Sequence, residues 1–194
     1  MIISDITFLQ EASIYSLRAK IETEDASNSY DVYVETEREG LLTNDANGWL
    51  LAAYMPAWEM GEKEIVIEGV VCPVLVANLK LASSLFALWY KGMGRPPEIR
   101  AEALARRVPA EEAAVFMSAG LDSIYSLYDL TEYLPVGHPK RPSAGLLIDY
   151  RWRGLSDAEA ALRFEERQQR CRILLESRGL RLETIRTNLR ILMP

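Results

Sequence analysis

The stretch AAVFMSAGLDSIYSLYDL, Ala113 to Leu130, decides the fold. Its opening AAVFM is an unbroken apolar run, the pattern of a strand buried on both faces. The segment SIYSLYDLTEYL (123–134) then takes helical spacing, with Ile124, Leu127 and Leu130 on one stripe. Between strand and helix stands Ser118-Ala119-Gly120-Leu121-Asp122-Ser123, which is small, polar and glycine-containing. Such a turn is either a tight connection or a cradle for phosphate.

The pattern extends downstream. VGHPKRPS makes a loop, and AGLLIDY (144–150) is a second buried strand. SDAEAALRFEERQQRCRILLESRG (156–179) is the longest helix, with Ser156 as N-cap and Glu159 completing a capping box. Ala161, Phe164, Cys171 and Leu175 define its apolar face, and Gly179 is its C-cap. LRLETIRTN (180–188) is a third strand. The order β-α-β-α-β implies a parallel sheet with right-handed crossovers. The 118–123 turn then lies at the carboxyl end of the first strand, the edge where open α/β sheets bind ligands.

Upstream, residues 1–105 read as a smaller α+β region. SIYSLRAKIETE (13–24) and SYDVYVETER (29–38) alternate around DASNS as a hairpin, with Tyr30, Val32 and Val34 on one face. NDANGWLLAAYMPAWEMG (44–61) is helical, with Asp45 as cap and Pro56 ending or kinking it. KEIVIEG (63–69) is a strand. PVLVANLKLASSLFALWYKGMG (73–94) is a helix with Leu75, Leu79, Ala82, Leu85 and Leu88 at helical spacing. Between RPPE (95–98) and RRVPAEEA (106–113), IRAEALA is a strand or a short helix, with the strand preferred. The domain boundary falls here, leaving 106–194 as the second domain.

Bulk properties narrow the class. In 194 residues, 49% apolar content calls for a packed core. A net charge of -6 and a pI near 5.0 lack the basic field of a nucleic-acid binder. They do not exclude a small anion, which backbone N–H groups can hold. Cys72 and Cys171 form no CxxC motif and read as free thiols of a reducing compartment. The N-terminal sequence lacks the pattern of a signal peptide, and no apolar run reaches membrane-spanning length. The expectation is a soluble cytoplasmic protein without membrane partners.

The chemistry of the turn favours phosphate. A helix starting near Ser123 leaves its first N–H groups unpaired and carries partial positive charge. Gly120 lets backbone approach an anion, and Ser118 and Ser123 add hydroxyl donors. Asp122 cannot stabilise phosphate directly. It suits a helix N-cap, or a magnesium ion shared with the phosphates. Walker A fails for want of the lysine and the spacing. The nucleophile elbow GxSxG meets Phe116 at its first glycine, and the one histidine, His138, follows in a proline-rich loop that reads as exposed.

SAGLDS between a buried strand and a helix resembles the SGGxDS signature of the PP-loop ATP pyrophosphatases. That superfamily includes 7-cyano-7-deazaguanine synthase, GMP synthetase, the synthetase domain of asparagine synthetase and several tRNA-thiolating enzymes. The resemblance covers about residues 111–190, through the strand LLIDY, the long helix and a strand ending in TNLR. It implies a partial HUP-like (adenine nucleotide alpha hydrolase-like) fold. It also implies cleavage of ATP between the α- and β-phosphates, with adenylation of a substrate oxygen for amide, nitrile or sulfur transfer. By position, Ser118, Ala119, Gly120, Leu121, Asp122 and Ser123 would hold ATP. Asp122 would meet Mg2+, and Asp122 and Ser123 would serve catalysis. Ala119 replaces a glycine of the signature, where its Cβ either crowds pyrophosphate or is tolerated at negative φ. Asp149 and Tyr150 lie where such folds meet adenine or ribose, and Asp149 is equally a loop-capping carboxylate.

Other features read as structural. Arg151 and Arg153 could meet phosphate but read first as solvated, the Trp and Tyr residues of 49–58 and 89–90 could line a pocket but read first as core, and RFEERQQR (163–170) is a solvated helix face with pairs such as Glu166–Arg170. A complete PP-loop domain carries more strands, so the chain reads as its first half: truncated, completed by a partner chain or a second copy, or a minimal form of the domain. The alternative to an enzyme is a non-catalytic nucleotide-binding or interaction module. The acceptor is an unknown small molecule.

Overall fold

The computed structural model describes residues 1–24, 27–92, 94–106, 112–150 and 155–193. Arg151 and Arg153 lie outside the described residues. The protein is α/β. The chain divides into two compact units, one formed by Met1–Val34, Glu39–Val108 and Asn188–Pro194, the other by Glu35–Arg38 and Pro109–Thr187. No helix among the described residues is long and apolar enough to cross a membrane.

The first unit carries strands β1 (Ile2–Glu11), β2 (Ile14–Glu22), β3 (Ser29–Thr36, whose last residues belong to the second unit), β4 (Glu64–Val71) and β5 (Glu98–Leu104). Their order is β5-β4-β1-β2-β3. β1 pairs antiparallel with β2 and parallel with β4, and β4 pairs parallel with β5. β1 was not expected from the sequence. Its alternation slips at a register shift between Ser4 and Thr7, where Asp5 takes φ 53° and donates its N–H to Glu68 Oε2 at 3.0 Å. The strand choice for β5 is borne out.

Helix α1 (Ala46–Glu59) is capped by Asp45, which accepts from the Asn47 N–H as expected. Pro56 does not end it; the helix runs on to Glu59. Its Trp49, Leu50, Ala53 and Tyr54 join Ile3, Ile21, Val32, Ile65 and Ile67 in one core, against which Tyr30 and Val34 pack. The anticipated hairpin face is therefore present. Helix α2 (Pro73–Trp89) buries Leu79 and Ser83, whose Oγ lies 2.6 Å from Tyr54 Oη. Leu85 and Leu88, placed on its apolar stripe by sequence, are exposed, as are Trp89 and Tyr90, for which helical spacing predicts burial. Asn188 docks its amide on β3, accepting from the Tyr33 N–H at 2.9 Å and donating to Asp31 O at 2.8 Å. A four-residue 3₁₀ turn, Leu189–Leu192, follows.

The second unit holds β6 (Ala113–Phe116), α3 (Leu121–Glu132), β7 (Pro142–Asp149), α4 (Asp157–Glu176) and β8 (Arg181–Thr187). The strands run β8-β7-β6 and both pairings are parallel, as the β-α-β-α-β order required. Val115, Met117, Leu127, Leu147, Cys171 and Leu175 form its buried core. β7 is buried on both faces, but β6 is not: Ala114 and Phe116 turn outward, and β6 ends the strand order.

α4 begins with the expected capping box between Ser156 and Glu159. Its inward residues are Phe164, Cys171 and Leu175, while Ala161 is exposed. Its C-cap is Ser177 rather than Gly179; Gly179 follows at φ 68°, and the Leu180 N–H closes the turn on Leu175 O at 3.0 Å. Gly145 lets α4 sit close on β7. A Cβ there would lie 2.4 Å from Leu175 Cδ1 and 2.8 Å from Met117 Cγ.

Candidate functional site: a cleft at the carboxyl edge of the second unit's strands

The last ladder bond of β6 runs from the Met117 N–H to Leu146 O at 2.8 Å. The chain then leaves the sheet at Ser118. Ala119 turns it with φ 58°, in the left-handed region where a Cβ is strained and glycine is favoured. Gly120 follows with φ −84° and ψ 165° as the N-cap of α3. The expectations that the helix starts near Ser123 and that Asp122 caps it are thus corrected: α3 starts at Leu121, and Asp122 stands in its first turn. No side chain caps this terminus, so its first N–H groups point outward with the positive end of the helix dipole.

Hydroxyls brace the loop from within. Ser123 Oγ donates to Gly120 O at 2.8 Å and accepts from the Ser118 N–H and Ser118 Oγ, both at 3.3 Å. Ser118 Oγ in turn accepts from the Gly120 N–H at 3.3 Å. The methyl of Ala119 packs against the buried cluster of Val115, Leu127 and Cys171, directing it to the core. Tolerance of alanine here does not come from a negative φ, since φ is positive; the methyl finds room below the loop. Cys171 is fully buried there, and burial pushes its thiol up, against the pull of the Arg167 charge and the Ala119 backbone N–H.

Beside this loop opens a cleft of 770 Å³, lined by Phe116, Met117, Ser118, Asp122, Ser123, Ser126, Leu146, Leu147, Ile148, Tyr150 and Arg167. That volume suits a nucleotide-sized ligand. One end is polar, built from the three serines and Asp122; the strand residues Leu146 and Ile148 with Phe116 and Tyr150 supply an apolar wall.

Of the residues singled out by sequence, Ser118, Asp122, Ser123 and Tyr150 line this cleft. Ala119 is half-buried beneath the loop, Gly120 is exposed, and Leu121 is 82% exposed at the helix start. Asp149 is not among the lining residues. Its carboxylate lies 3.6 Å from Arg186 Nε, its register partner on β8, as a cross-strand pair. Ser126 and Arg167 were missed. Ser126 falls one turn after Ser123. Arg167 sits within a run that reads as solvated, yet it occupies the inward stripe between Phe164 and Cys171, and that spacing was the available signal.

His138 is half-buried in a turn, where its Nδ1 accepts from the Lys140 N–H at 3.1 Å. It does not line the cleft, and Ser118 Oγ is held by Ser123 and Gly120 instead of an imidazole. No group of three or more His, Cys, Asp or Glu side chains among the described residues is arranged to hold a metal.

The second unit is thus an α/β module with an anion-suited loop at the carboxyl edge of parallel strands. No protein-family model matches the chain, and no curated protein matches it either.

Proposed function

We propose that the second unit is part of a PP-loop, HUP-like nucleotide-binding domain, and that its cleft binds ATP with Mg2+. The observation that carries this reading is the left-handed Ala119, immediately before an uncapped helix N-terminus and at the carboxyl end of a parallel strand. It stands where the SGGxDS signature has glycine, and left-handed backbone is what glycine is there to permit. Among the described lining residues Asp122 is the one carboxylate. A single carboxylate fits Mg2+ that keeps waters and phosphate oxygens as its other ligands, rather than an ion enclosed by protein.

The reaction is adenylation. A substrate carboxylate or carbonyl oxygen attacks the α-phosphorus, the bridging bond to the β-phosphate breaks, and pyrophosphate leaves with the electron pair. A nitrogen or sulfur nucleophile then displaces AMP from the activated carbon, for amide, nitrile or sulfur transfer. The first N–H groups of α3 meet the developing phosphate charge, Ser118 and Ser123 keep the loop preorganised, and Tyr150 offers a surface for the base. The setting is the cytoplasm, with a small-molecule acceptor and with the outer edge of β6 covered by a second copy or a partner chain. Sedimentation velocity reads the former.

The test is incubation with Mg-ATP and a panel of small carboxylates, with AMP and pyrophosphate as readout. Their joint release supports the enzyme. ATP binding without either product leaves the non-catalytic nucleotide-binding module. If Asp122→Ala and Ser123→Ala bind ATP as the wild type does, the cradle reading is wrong.

A further inference from the structure

Arg167 stands on the face of α4 that turns inward. Phe164 precedes it by three residues, and Cys171 and Leu175 follow at successive four-residue steps, one stripe of the helix. Phe164, Cys171 and Leu175 belong to or pack on the buried core. Arg167 is half-buried and lines the same cleft as Ser118, Asp122, Ser123 and Tyr150. Among the described lining residues it is the only cation, and Asp122 is the only anion. Its charge is felt at Cys171, which lies under Ala119 and thus under the loop.

We infer that Arg167 is a binding residue of this cleft, contacting phosphoryl oxygens of the bound nucleotide. The inference rests on the nucleotide reading and extends it to α4, which the signature loop does not include. Backbone N–H groups of α3 provide partial charge only. A nucleoside triphosphate brings several full negative charges, and one magnesium ion leaves a net excess. A planar guanidinium with several donors is suited to that remainder, and it also distinguishes charged nucleotides from neutral nucleosides of the same shape.

The experiment measures Mg-ATP affinity by titration calorimetry at several sodium chloride concentrations for wild type, Arg167→Gln, Arg167→Lys and Arg170→Gln. Arg170 is exposed on the same helix and outside the cleft. Arg167→Gln is expected to weaken binding about 10- to 100-fold, the loss of one charge-assisted contact. Arg167→Lys recovers part of that loss, Arg170→Gln changes nothing, and the salt dependence of Arg167→Gln is shallower than that of the wild type. Unchanged affinity in Arg167→Gln overturns the inference while leaving the nucleotide reading intact. So does a loss that lysine fails to restore and that keeps the wild-type salt dependence, since that marks a packing role. Failure of the wild type to bind Mg-ATP removes the nucleotide reading and this inference with it.

Discussion

Ala119 holds a backbone conformation that costs a residue with a Cβ about 1–2 kcal/mol. Its methyl recovers part of that by packing on the core below. Ala119→Gly relieves the strain but gives up the methyl contact and adds unfolded-state entropy. The expected net is a gain of up to about 1 kcal/mol in urea unfolding, and a loss would mean that packing outweighs strain. Asn188 shows one side-chain amide serving a strand's backbone: it accepts from the Tyr33 N–H and donates to Asp31 O on β3. Asn188→Asp keeps the acceptor and loses the donor, leaving two oxygens facing each other. It should cost about 1–3 kcal/mol by the same measurement. Trp58 is fully buried and its Nε1–H finds no hydrogen-bond partner among the described residues. Trp58→Phe removes that unsatisfied donor along with some packing volume. The two effects oppose each other, so the thermal midpoint should move far less than for Trp58→Ala, which opens a cavity worth about 3–5 kcal/mol.

At the scale of elements, the packing of α4 on β7 depends on Gly145. A Cβ at that position meets Leu175 and Met117 inside van der Waals distance, so Gly145→Ala forces the helix outward at about 1–3 kcal/mol. Gly145→Ala combined with Leu175→Ala relieves the clash, and the double mutant should be more stable than the sum of the single costs. Simple additivity would show that α4 shifts freely. The elements themselves were largely legible. The capping box of α4, the Asp45 cap of α1 and the alternation of β2 and β3 are local signals, and they form as read. β1 escaped because its bulge at Ser4–Thr7 breaks the two-residue period. The apolar stripe of α2 was visible in sequence, but only its first half finds a core to bury against. Periodicity reports which side of a helix is apolar; it does not report whether anything packs there.

At the scale of the whole molecule, three acidic groups among the described residues of the second unit are held below their ordinary range. Glu112 is held down by hydrogen bonding to Arg181, Glu132 by Arg178, and Glu159 by the Ser156 cap. A depressed folded-state pKa gives stability that is complete above the unfolded value and is lost as pH falls through the folded one. Stability should therefore be flat from neutrality down to about pH 5 and decline below it. Glu132→Gln should shallow that decline, while an unchanged acid profile would show the Arg178 pair to be solvent-screened, as exposed pairs often are. The same unit carries the candidate site, so acid should weaken ligand binding and the fold together.

By itself the sequence determined the alternation of strands and helices in 113–188, the parallel arrangement that follows from it, and the position of the SAGLDS turn at a strand's carboxyl end. These follow from local periodicity, capping residues and connection length, which act over a few residues along the chain. Only the tertiary structure decided that β6 ends the strand order with one face exposed, that Asp149 pairs with Arg186 across strands, that the Ala119 methyl turns into the core, and that Arg167 joins Ser118, Asp122 and Ser123 around one cleft. Each depends on residues far apart in sequence coming into contact. A helix stripe or a strand run carries no record of which neighbour it will meet.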